Sequence, residues 1–158
     1  MEAIEAKPEV ALEFKPTIIG FYCKWCTHAA ADLAGTSRMP VSADVIGIRV
    51  PCSGRVDPSF IVQAFTKGAD GVLIGGCHLG DCHYEDGNYS AYKRMKLLQK
   101  LLDAYGIEPA RVRIEWISAS EAKKYQQTLN EFSDAIKELG PLNWGKHLKK
   151  REFSKMEV

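Results

Sequence analysis

The sequence lacks the features that would place the protein at a membrane or on nucleic acid. No apolar run reaches the roughly 18–20 residues needed to span a bilayer. The formal net charge is only +1 over 158 residues, which gives no electrostatic basis for binding nucleic acid. The N-terminal stretch shows neither a basic start followed by an apolar block nor a small-residue cleavage site. We therefore expect a cytoplasmic protein that binds neither membranes nor nucleic acid.

Patterns typical of hydrolytic or nucleotide-dependent catalysis are also missing. The sequence shows no Ser/His/Asp arrangement, no HExxH pattern and no evident carboxylate pair. The glycines at 71–80 lack GxGxxG order and the lysine of a phosphate-binding loop. Electron transfer is therefore favoured over bond chemistry on a substrate. A group of polar residues is typical of a solvated loop: Asp81, Tyr84, Glu85, Asp86 and Asn88.

Cysteine is confined to the first 82 residues, and none follows. An odd number of cysteines in an expected cytosolic protein argues against a disulfide framework and favours metal or redox chemistry. Hydrophobic residues make up 46% and charged residues 26%, as in a folded globular domain. The five cysteines are Cys23, Cys26, Cys52, Cys77 and Cys82.

Strands and helices are predicted to alternate along the chain. Asp57 and Pro58 form a helix start, and Ser118 with Glu121 has the spacing of a capping box. The alternation predicts a small flavodoxin-like parallel sheet of about four strands in order 2-1-3-4, with helices on both faces. Apolar runs predict strands at 17–22, 43–50, 71–75 and 111–117, and helices at 27–34, 58–67, about 90–105 and from Ser118 to 139.

The chain is expected to contain one domain and two tails. Residues 1–15 are interpreted as an N-terminal tail and 16–140 as the α/β domain. Residues 141–158 are basic with interspersed apolar side chains. This last segment is either a frayed terminus or an arm that orders against a partner subunit.

The cysteines follow successive predicted strands. Cys23 comes after the first strand, Cys52 after the second and Cys77 after the third. The carboxyl ends of parallel strands share one edge of a sheet, where ligands usually bind. Cys26 and Cys82 belong to the same loops as Cys23 and Cys77. The sequence therefore predicts a metal or cluster site at this edge.

A 2Fe–2S cluster suits these thiols, because it needs four ligands, two on each iron. The CxxC spacing lets Cys23 and Cys26 reach one metal atom, and Cys77 and Cys82 have a spacing used in plant-type clusters. Four of the five cysteines are expected to be ligands. The missing side chains of nearby glycines would let backbone N–H groups approach the sulfides. These glycines are Gly54, Gly75, Gly76 and Gly80.

Other interpretations of the cysteines remain open. A structural zinc site with four cysteine ligands would make the protein a non-redox adapter. A dithiol oxidoreductase using Cys23 and Cys26 would leave the other three cysteines without a role. His78 and His83 could replace cysteine as in Rieske centres, but we expect them to be hydrogen-bonding neighbours or surface groups. Trp25 either shields the cluster from water or anchors a partner.

Two stretches resemble the delta, iron–sulfur subunit of methyl-viologen-reducing hydrogenase. They are YCKWCTHAAADLAG at 22–35 and the segment at 50–94 that contains CSGRVDP and GCHLGDCHYEDGN; the resemblance covers about 16–140. It implies one 2Fe–2S cluster in a non-catalytic electron-transfer subunit of an oxidoreductase complex. Such a subunit relays electrons from a hydrogenase small subunit, or a formate dehydrogenase, to the flavin-bearing subunit of heterodisulfide reductase. In methanogenesis the flavin of that reductase bifurcates electrons between ferredoxin and a heterodisulfide. Related subunits also occur in complexes of anaerobes that are not methanogens.

Carried over by position, the resemblance makes all five cysteines candidates for the cluster. Two positions depart from the family pattern. Tyr22 stands where relatives often have another cysteine, and Leu79 where they often have proline. We infer that position 22 need not be a ligand and that the loop around Leu79 differs in stiffness.

Overall fold

A computed structural model describes residues 14–144, and most of both expected tails lies outside this range. Its single sheet has the order β2-β1-β3-β4, and all three neighbouring pairs are parallel. The predicted α/β fold and its strand order are confirmed. The strands are β1 (Ile18–Cys23), β2 (Val45–Val50), β3 (Gly71–Gly76) and β4 (Val112–Trp116).

One helix follows each strand, and the helices cover both faces of the sheet. α1 and α4 pack on one face, and α2 and α3 pack on the other. Within the described range, no helix combines the length and apolar character that crossing a bilayer requires. The helices are α1 (Thr27–Thr36), α2 (Pro58–Thr66), α3 (Gly87–Ala104) and α4 (Ala122–Leu139), with short 3₁₀ turns at Ser53–Arg55 and Pro109–Arg111.

The core is split between the two faces because successive strand residues point in opposite directions. Phe21 and Ile74 face α2 and α3, while Ile18 and Leu73 face α1 and α4. All four side chains are buried. Burying a side chain of this size stabilises the fold by about 1.5–3 kcal/mol. The two layers therefore hold the carboxyl edge of the sheet in place.

The helix starts were predicted with unequal success. At α2, Asp57 Oδ1 accepts the Ser59 N–H at 2.8 Å and Pro58 opens the helix, as expected. At α4, only half of the predicted capping box forms. Glu121 Oε2 accepts the Ser118 N–H at 2.7 Å, but Ser118 Oγ bonds to Ser120 Oγ and the helix begins at Ala122. The reciprocal bond is lost because Ser118 lies outside the helix, in the turn before it.

A buried arginine ties the amino edge of the sheet to the end of α4. The Arg111 side chain is 2% exposed and pairs with Glu108 at 2.8 Å. It also donates to the carbonyl oxygens of Asp70 at 3.1 Å, Gly140 at 2.9 Å and Leu139 at 3.3 Å. The guanidinium thus supplies hydrogen-bond donors to these carbonyl groups. A buried acceptor without a donor would lower the free energy of unfolding.

The Asp70 carboxylate continues this connection into the last described residues. It accepts the Thr17 N–H at 2.9 Å and the Leu142 N–H at 3.0 Å. Two residues further on, Trp144 packs edge-on against Phe65 of α2, with ring centroids 6.4 Å apart. The chain after α4 therefore passes the amino edge of the sheet and reaches the face that carries α2.

We expect Arg111→Met to lower the free energy of unfolding by about 3 kcal/mol, because it leaves buried carbonyl oxygens without donors. Urea denaturation followed by circular dichroism measures the change. Arg113→Met is the matched control: Arg113 is partly exposed and pairs with Glu115 at 2.9 Å. This variant should lower the free energy of unfolding by no more than about 1 kcal/mol. Equal losses in the two variants would contradict the role assigned to Arg111.

Candidate metal centre

All five cysteines lie at the carboxyl edge of the sheet. Cys23 ends β1, Cys52 follows β2, and Cys77 follows β3. These three and Cys26 are 1–8% exposed, whereas Cys82 is half-buried. The strand ends thus bring thiols from distant parts of the sequence into one protected site.

The thiols form two groups, which we call the triad and the pair. The triad is Cys23, Cys26 and Cys77, whose Sγ atoms all lie within 4.8 Å of one another. The pair is Cys52 and Cys82, with Sγ atoms 3.7 Å apart. Sequence spacing had suggested grouping Cys77 with Cys82, but the structure places them in different groups.

Both groups contain a separation that suits a tetrahedral metal atom. Two thiolates bound to one such atom at about 2.3 Å lie about 3.8 Å apart. Cys23 Sγ and Cys77 Sγ are 3.8 Å apart, and the pair is separated by 3.7 Å. Each of these two couples is therefore spaced to share one metal atom.

The first turn of α3 closes over the pair. A methyl group at position 87 would lie 2.6 Å from Cys52 Sγ and 3.3 Å from Cys82 Sγ, so only glycine fits. Gly54 is needed beside it, because its own methyl group would meet the Gly87 carbonyl oxygen at 2.7 Å. The Gly54 N–H donates to Cys52 Sγ at 3.4 Å. Gly87 was missed from the sequence because α3 was expected to begin about three residues later.

The other glycines expected near the cluster serve different purposes. The empty space at Gly75 is filled by the Thr27 side chain, and that at Gly76 by Ser53 Oγ and the Trp116 ring. Gly80 has a φ of +94°, and a methyl group added there would have nothing within 4 Å, so this glycine makes a turn. Among the four predicted glycines, only Gly54 donates a backbone N–H to a thiol.

A buried asparagine holds the loop that carries Cys77. Asn88 is fully buried, and its Nδ2 donates to the carbonyl oxygens of Cys77 at 3.0 Å and His78 at 2.7 Å. The expectation that Asn88 belongs to a solvated loop is therefore wrong. It lies in the first turn of α3, which packs against the site, whereas Asp81 and Tyr84 are exposed as expected.

One buried hydroxyl near the thiols is available to a bound group. Ser53 follows Cys52, is 1% exposed, and its Oγ has no hydrogen-bond partner among residues 14–144. Unpaired buried polar atoms are rare in proteins. A sulfide-containing cofactor held between the triad and the pair would offer this hydroxyl an acceptor.

A neighbouring tyrosine is part of the packing under the site. The Tyr22 ring lies edge-on to Tyr125, with centroids 5.6 Å apart. It occupies the space left by two glycines, since a methyl group at Gly20 or Gly47 would meet the ring at less than 2.8 Å. Burial raises the pKa of Tyr22 well above its ordinary value. Tyr22 therefore fills space beneath Cys23.

Three of the thiols have raised pKa values and are protonated at neutral pH: Cys26, Cys52 and Cys77. Burial raises the pKa of Cys52 to about 11 and also raises the pKa of Cys77. The Cys26 thiol donates a hydrogen bond that lowers the pKa of Cys23, and this same bond raises the pKa of Cys26. Metal binding at Cys52 and Cys77 must therefore displace the protons of these two thiols.

Both histidines near the site are engaged outside the thiols. The His83 ring stacks on Trp25, with centroids 3.8 Å apart, and Trp25 Nε1 donates to the Tyr84 hydroxyl at 3.3 Å. His78 Nε2 lies 2.7 Å from Glu121 Oε2. The pKa of Glu121 is lowered by the Ser118 N–H and by His78. Within the described chain, the group spaced to hold a metal ion contains only cysteines.

Solvent reaches the triad through an opening that no residue of α3 borders. A cavity of about 290 Å³ opens beside Cys26 and Cys77 and is bordered by Trp25, His78 and His83. Trp25 is 42% exposed, so it covers this side only in part. The triad thus lies close to solvent, and the pair lies against the first turn of α3.

Comparison with known proteins supports this description. A family model described as "Methyl-viologen-reducing hydrogenase, delta subunit" matches residues 18–140. The chain is 56% identical to an F420-non-reducing hydrogenase iron-sulfur subunit of Archaeoglobus profundus, over 84% of this chain and 96% of that protein. It is 53% identical to the vhc iron-sulfur subunit of the F420-non-reducing hydrogenase of Methanococcus voltae, over 84% of this chain and 92% of that protein.

A second kind of relative is much longer. One subunit of the ferredoxin/F(420)H(2)-dependent CoB-CoM heterodisulfide reductase of Methanosarcina acetivorans is 44% identical over 80% of this chain, but the match covers only 16% of that protein. The same kind of domain therefore occurs both as a separate chain and as one segment of a larger redox protein.

Proposed function

The chain belongs to the methyl-viologen-reducing hydrogenase delta-subunit family, and we propose that it is an electron-transfer subunit that binds one 2Fe–2S cluster. The observation that carries this proposal is the presence of two thiol couples, 3.8 Å and 3.7 Å apart, at one edge of the sheet. Iron–sulfur subunits of hydrogenases are the relatives matched over nearly their whole length, which supports the same role here.

The spacing of the thiols suggests which cysteines bind which iron. We assign Cys52 and Cys82 to one iron, because they form the pair. We assign Cys23 and Cys77 to the other, because their separation fits a tetrahedral atom. Cys26 is then the fifth cysteine, and its Sγ contacts Thr27 Oγ1 at 3.7 Å.

A single zinc ion is less well supported. Four thiolates around one tetrahedral metal must all lie about 3.8 Å from one another. Within residues 14–144, only the three thiols of the triad lie mutually within 4.8 Å. Two metal atoms, one at each group, match the thiol separations observed within the groups.

A bound 2Fe–2S cluster supplies a one-electron redox centre. The surrounding residues hold it and adjust its environment. Four thiolates anchor it, and Cys23 is only 1% exposed, which shields this ligand from water. The Gly54 N–H donates to Cys52 Sγ, and the Ser53 hydroxyl is free to donate nearby. Such donors stabilise added negative charge and therefore favour the reduced state.

The names of the relatives suggest the partners. We propose that a hydrogenase small subunit, or a formate dehydrogenase, donates electrons and that a flavin-bearing heterodisulfide reductase subunit accepts them for bifurcation. In the longer relatives a homologous segment is part of a heterodisulfide reductase chain, which supports direct docking of this chain on such a protein. The chain itself then acts as a non-catalytic relay.

Anaerobic purification with metal analysis and EPR tests the cluster. We expect two irons and two acid-labile sulfides per chain, with an EPR signal that appears after one-electron reduction. One zinc per chain, no iron and no EPR signal would instead establish the adapter with structural zinc. Disulfide reductase activity in metal-free protein would favour the dithiol oxidoreductase.

A further inference from the structure

The outward face of α3 carries an unusual concentration of positive charge. Four basic and no acidic side chains occur between 87 and 102, although the whole chain has a net charge of only +1. All four are exposed. The acidic residues nearest in sequence, Asp86 and Asp103, lie at the ends of the helix, and Asp57, which caps α2, lies near Arg94. The basic residues are Lys93, Arg94, Lys96 and Lys100.

The same helix exposes large apolar side chains. Leu97, Leu101 and Tyr105 follow one another at intervals of four, which places them in one stripe. They are 62%, 49% and 65% exposed. Tyr89 is exposed in line with the lysines, and Tyr92 is exposed next to Lys96, whose Nζ lies 5.5 Å from its ring centroid. Five of the twelve exposed large hydrophobic side chains among residues 14–144 thus lie on α3 or at its end.

The opposite face of the domain differs in both respects. The outward side of α4 mixes Lys123 and Lys137 with Glu131, Asp134 and Glu138. None of the exposed large hydrophobic side chains found in residues 14–144 belongs to α4. Charge and apolar exposure therefore single out α3 among the long helices.

The position of α3 connects this surface to the thiols. Its first residue, Gly87, is in contact with both thiols of the pair. Cys82, in that pair, is the only cysteine that is not fully buried. A protein that covers the start of α3 would therefore come close to the pair, and electron transfer requires such close approach.

We propose that the outward face of α3 is the docking surface for one redox partner, whose own surface carries carboxylates beside an apolar patch. Complementary charge speeds association and selects the partner, while exposed apolar side chains provide contact area. This inference rests on the proposed electron-transfer function and specifies which surface and which partner chemistry that function uses.

Chemical labelling of the native complex tests the surface. The complex is isolated anaerobically through an affinity tag on this chain, and lysines are acetylated in the complex and in the isolated cluster-bearing subunit. We expect acetylation of Lys93, Lys96 and Lys100 to slow at least about tenfold in the complex, because a protein interface excludes the reagent. Lys123 on α4 serves as the control and should react equally in both samples. Equal reaction of all four lysines would overturn the proposal, as would isolation of the chain without any redox partner.

Zero-length carbodiimide cross-linking tests the partner's chemistry. It should join Lys93, Lys96 or Lys100 to aspartate or glutamate residues of the partner. Cross-links formed only by lysines elsewhere would overturn the proposal.

Charge reversal separates this inference from the proposed function. The triple variant Lys93→Glu, Lys96→Glu, Lys100→Glu should slow association with the purified partner by about tenfold or more at low salt. The matched variant Lys123→Glu should leave the rate unchanged. Both variants should keep the EPR signal of the cluster. An unchanged association rate with a normal EPR signal contradicts the docking surface alone, whereas absence of the signal in the unsubstituted protein contradicts the proposed function.

Discussion

Cys52→Ala and Cys82→Ala will each empty the metal centre, whereas Cys26→Ala will leave it loaded. No third thiol belongs to the pair that could replace a lost ligand, since the other three cysteines form the triad. In the triad, Cys23 and Cys77 have the separation that one tetrahedral atom requires, so Cys26 is dispensable. Without a pair cysteine, we expect the iron and sulfide content to fall more than about tenfold. Losing a residue that only hydrogen-bonds to a metal ligand already lowers metal affinity by about tenfold or more, and losing a ligand should have at least this effect.

The five single variants form their own controls. Iron per chain and the EPR signal of the reduced protein are measured for each, and circular dichroism verifies folding. If Cys77→Ala kept its iron and Cys26→Ala lost it, the triad ligands would be Cys23 and Cys26, and our assignment of Cys77 would be wrong. Full loading after loss of Cys52 or Cys82 would exclude the two-iron arrangement.

The second large effect is expected at a residue that carries no metal-binding group. In Gly87→Ala the added methyl group would lie 2.6 Å from Cys52 Sγ and 3.3 Å from Cys82 Sγ. The pair must then separate or α3 must shift, and we expect cluster loading to fall about tenfold or more. The helix itself tolerates alanine, which forms helices better than glycine.

Gly35→Ala is the matched control for this substitution. Gly35 also lies in a helix, but nothing lies within 4 Å of a methyl group placed there. This variant should keep its cluster and gain up to about 1 kcal/mol in the free energy of unfolding. Iron analysis and thermal denaturation are measured on both proteins. A fully loaded Gly87→Ala variant would refute the close packing of α3 on the pair.

The fold could be predicted from the sequence because its signals are local. Short apolar runs marked the strands, and Gly68, Gly106 and Gly140 marked the ends of helices and turns. All three have positive φ values, which glycine adopts without strain. Once strands and helices alternate, a parallel sheet with right-handed crossovers follows. The strand order additionally required the flavodoxin-like arrangement, because right-handed crossovers alone permit several orders.

The grouping of the thiols could not be predicted in the same way. Spacing along the chain limits how far two thiols can be apart, but it says nothing about the direction of each side chain. The turn at Gly80 separates Cys77 from Cys82, and Cys82 then approaches Cys52 from a different loop. The convergence of the loops followed from topology, but the partners of each thiol depended on the path of one turn.

The start of α3 was missed for a related reason. No side chain caps this helix, so the sequence around Asp86 carries no clear signal for it. The helix begins instead where Gly54 and Gly87 make close backbone contact and where Asn88 binds the Cys77 loop. These are long-range contacts, and none is visible in a local pattern.

The space shared by Tyr22, Gly20 and Gly47 links three positions on two neighbouring strands. The ring fits only because both glycines lack side chains. A family member with a small residue at position 22 would have a void under the first cysteine unless larger residues appear at the other two positions. These positions should therefore covary during evolution. Exchanging one of them alone between homologues should lower the free energy of unfolding, whereas exchanging all three together should not.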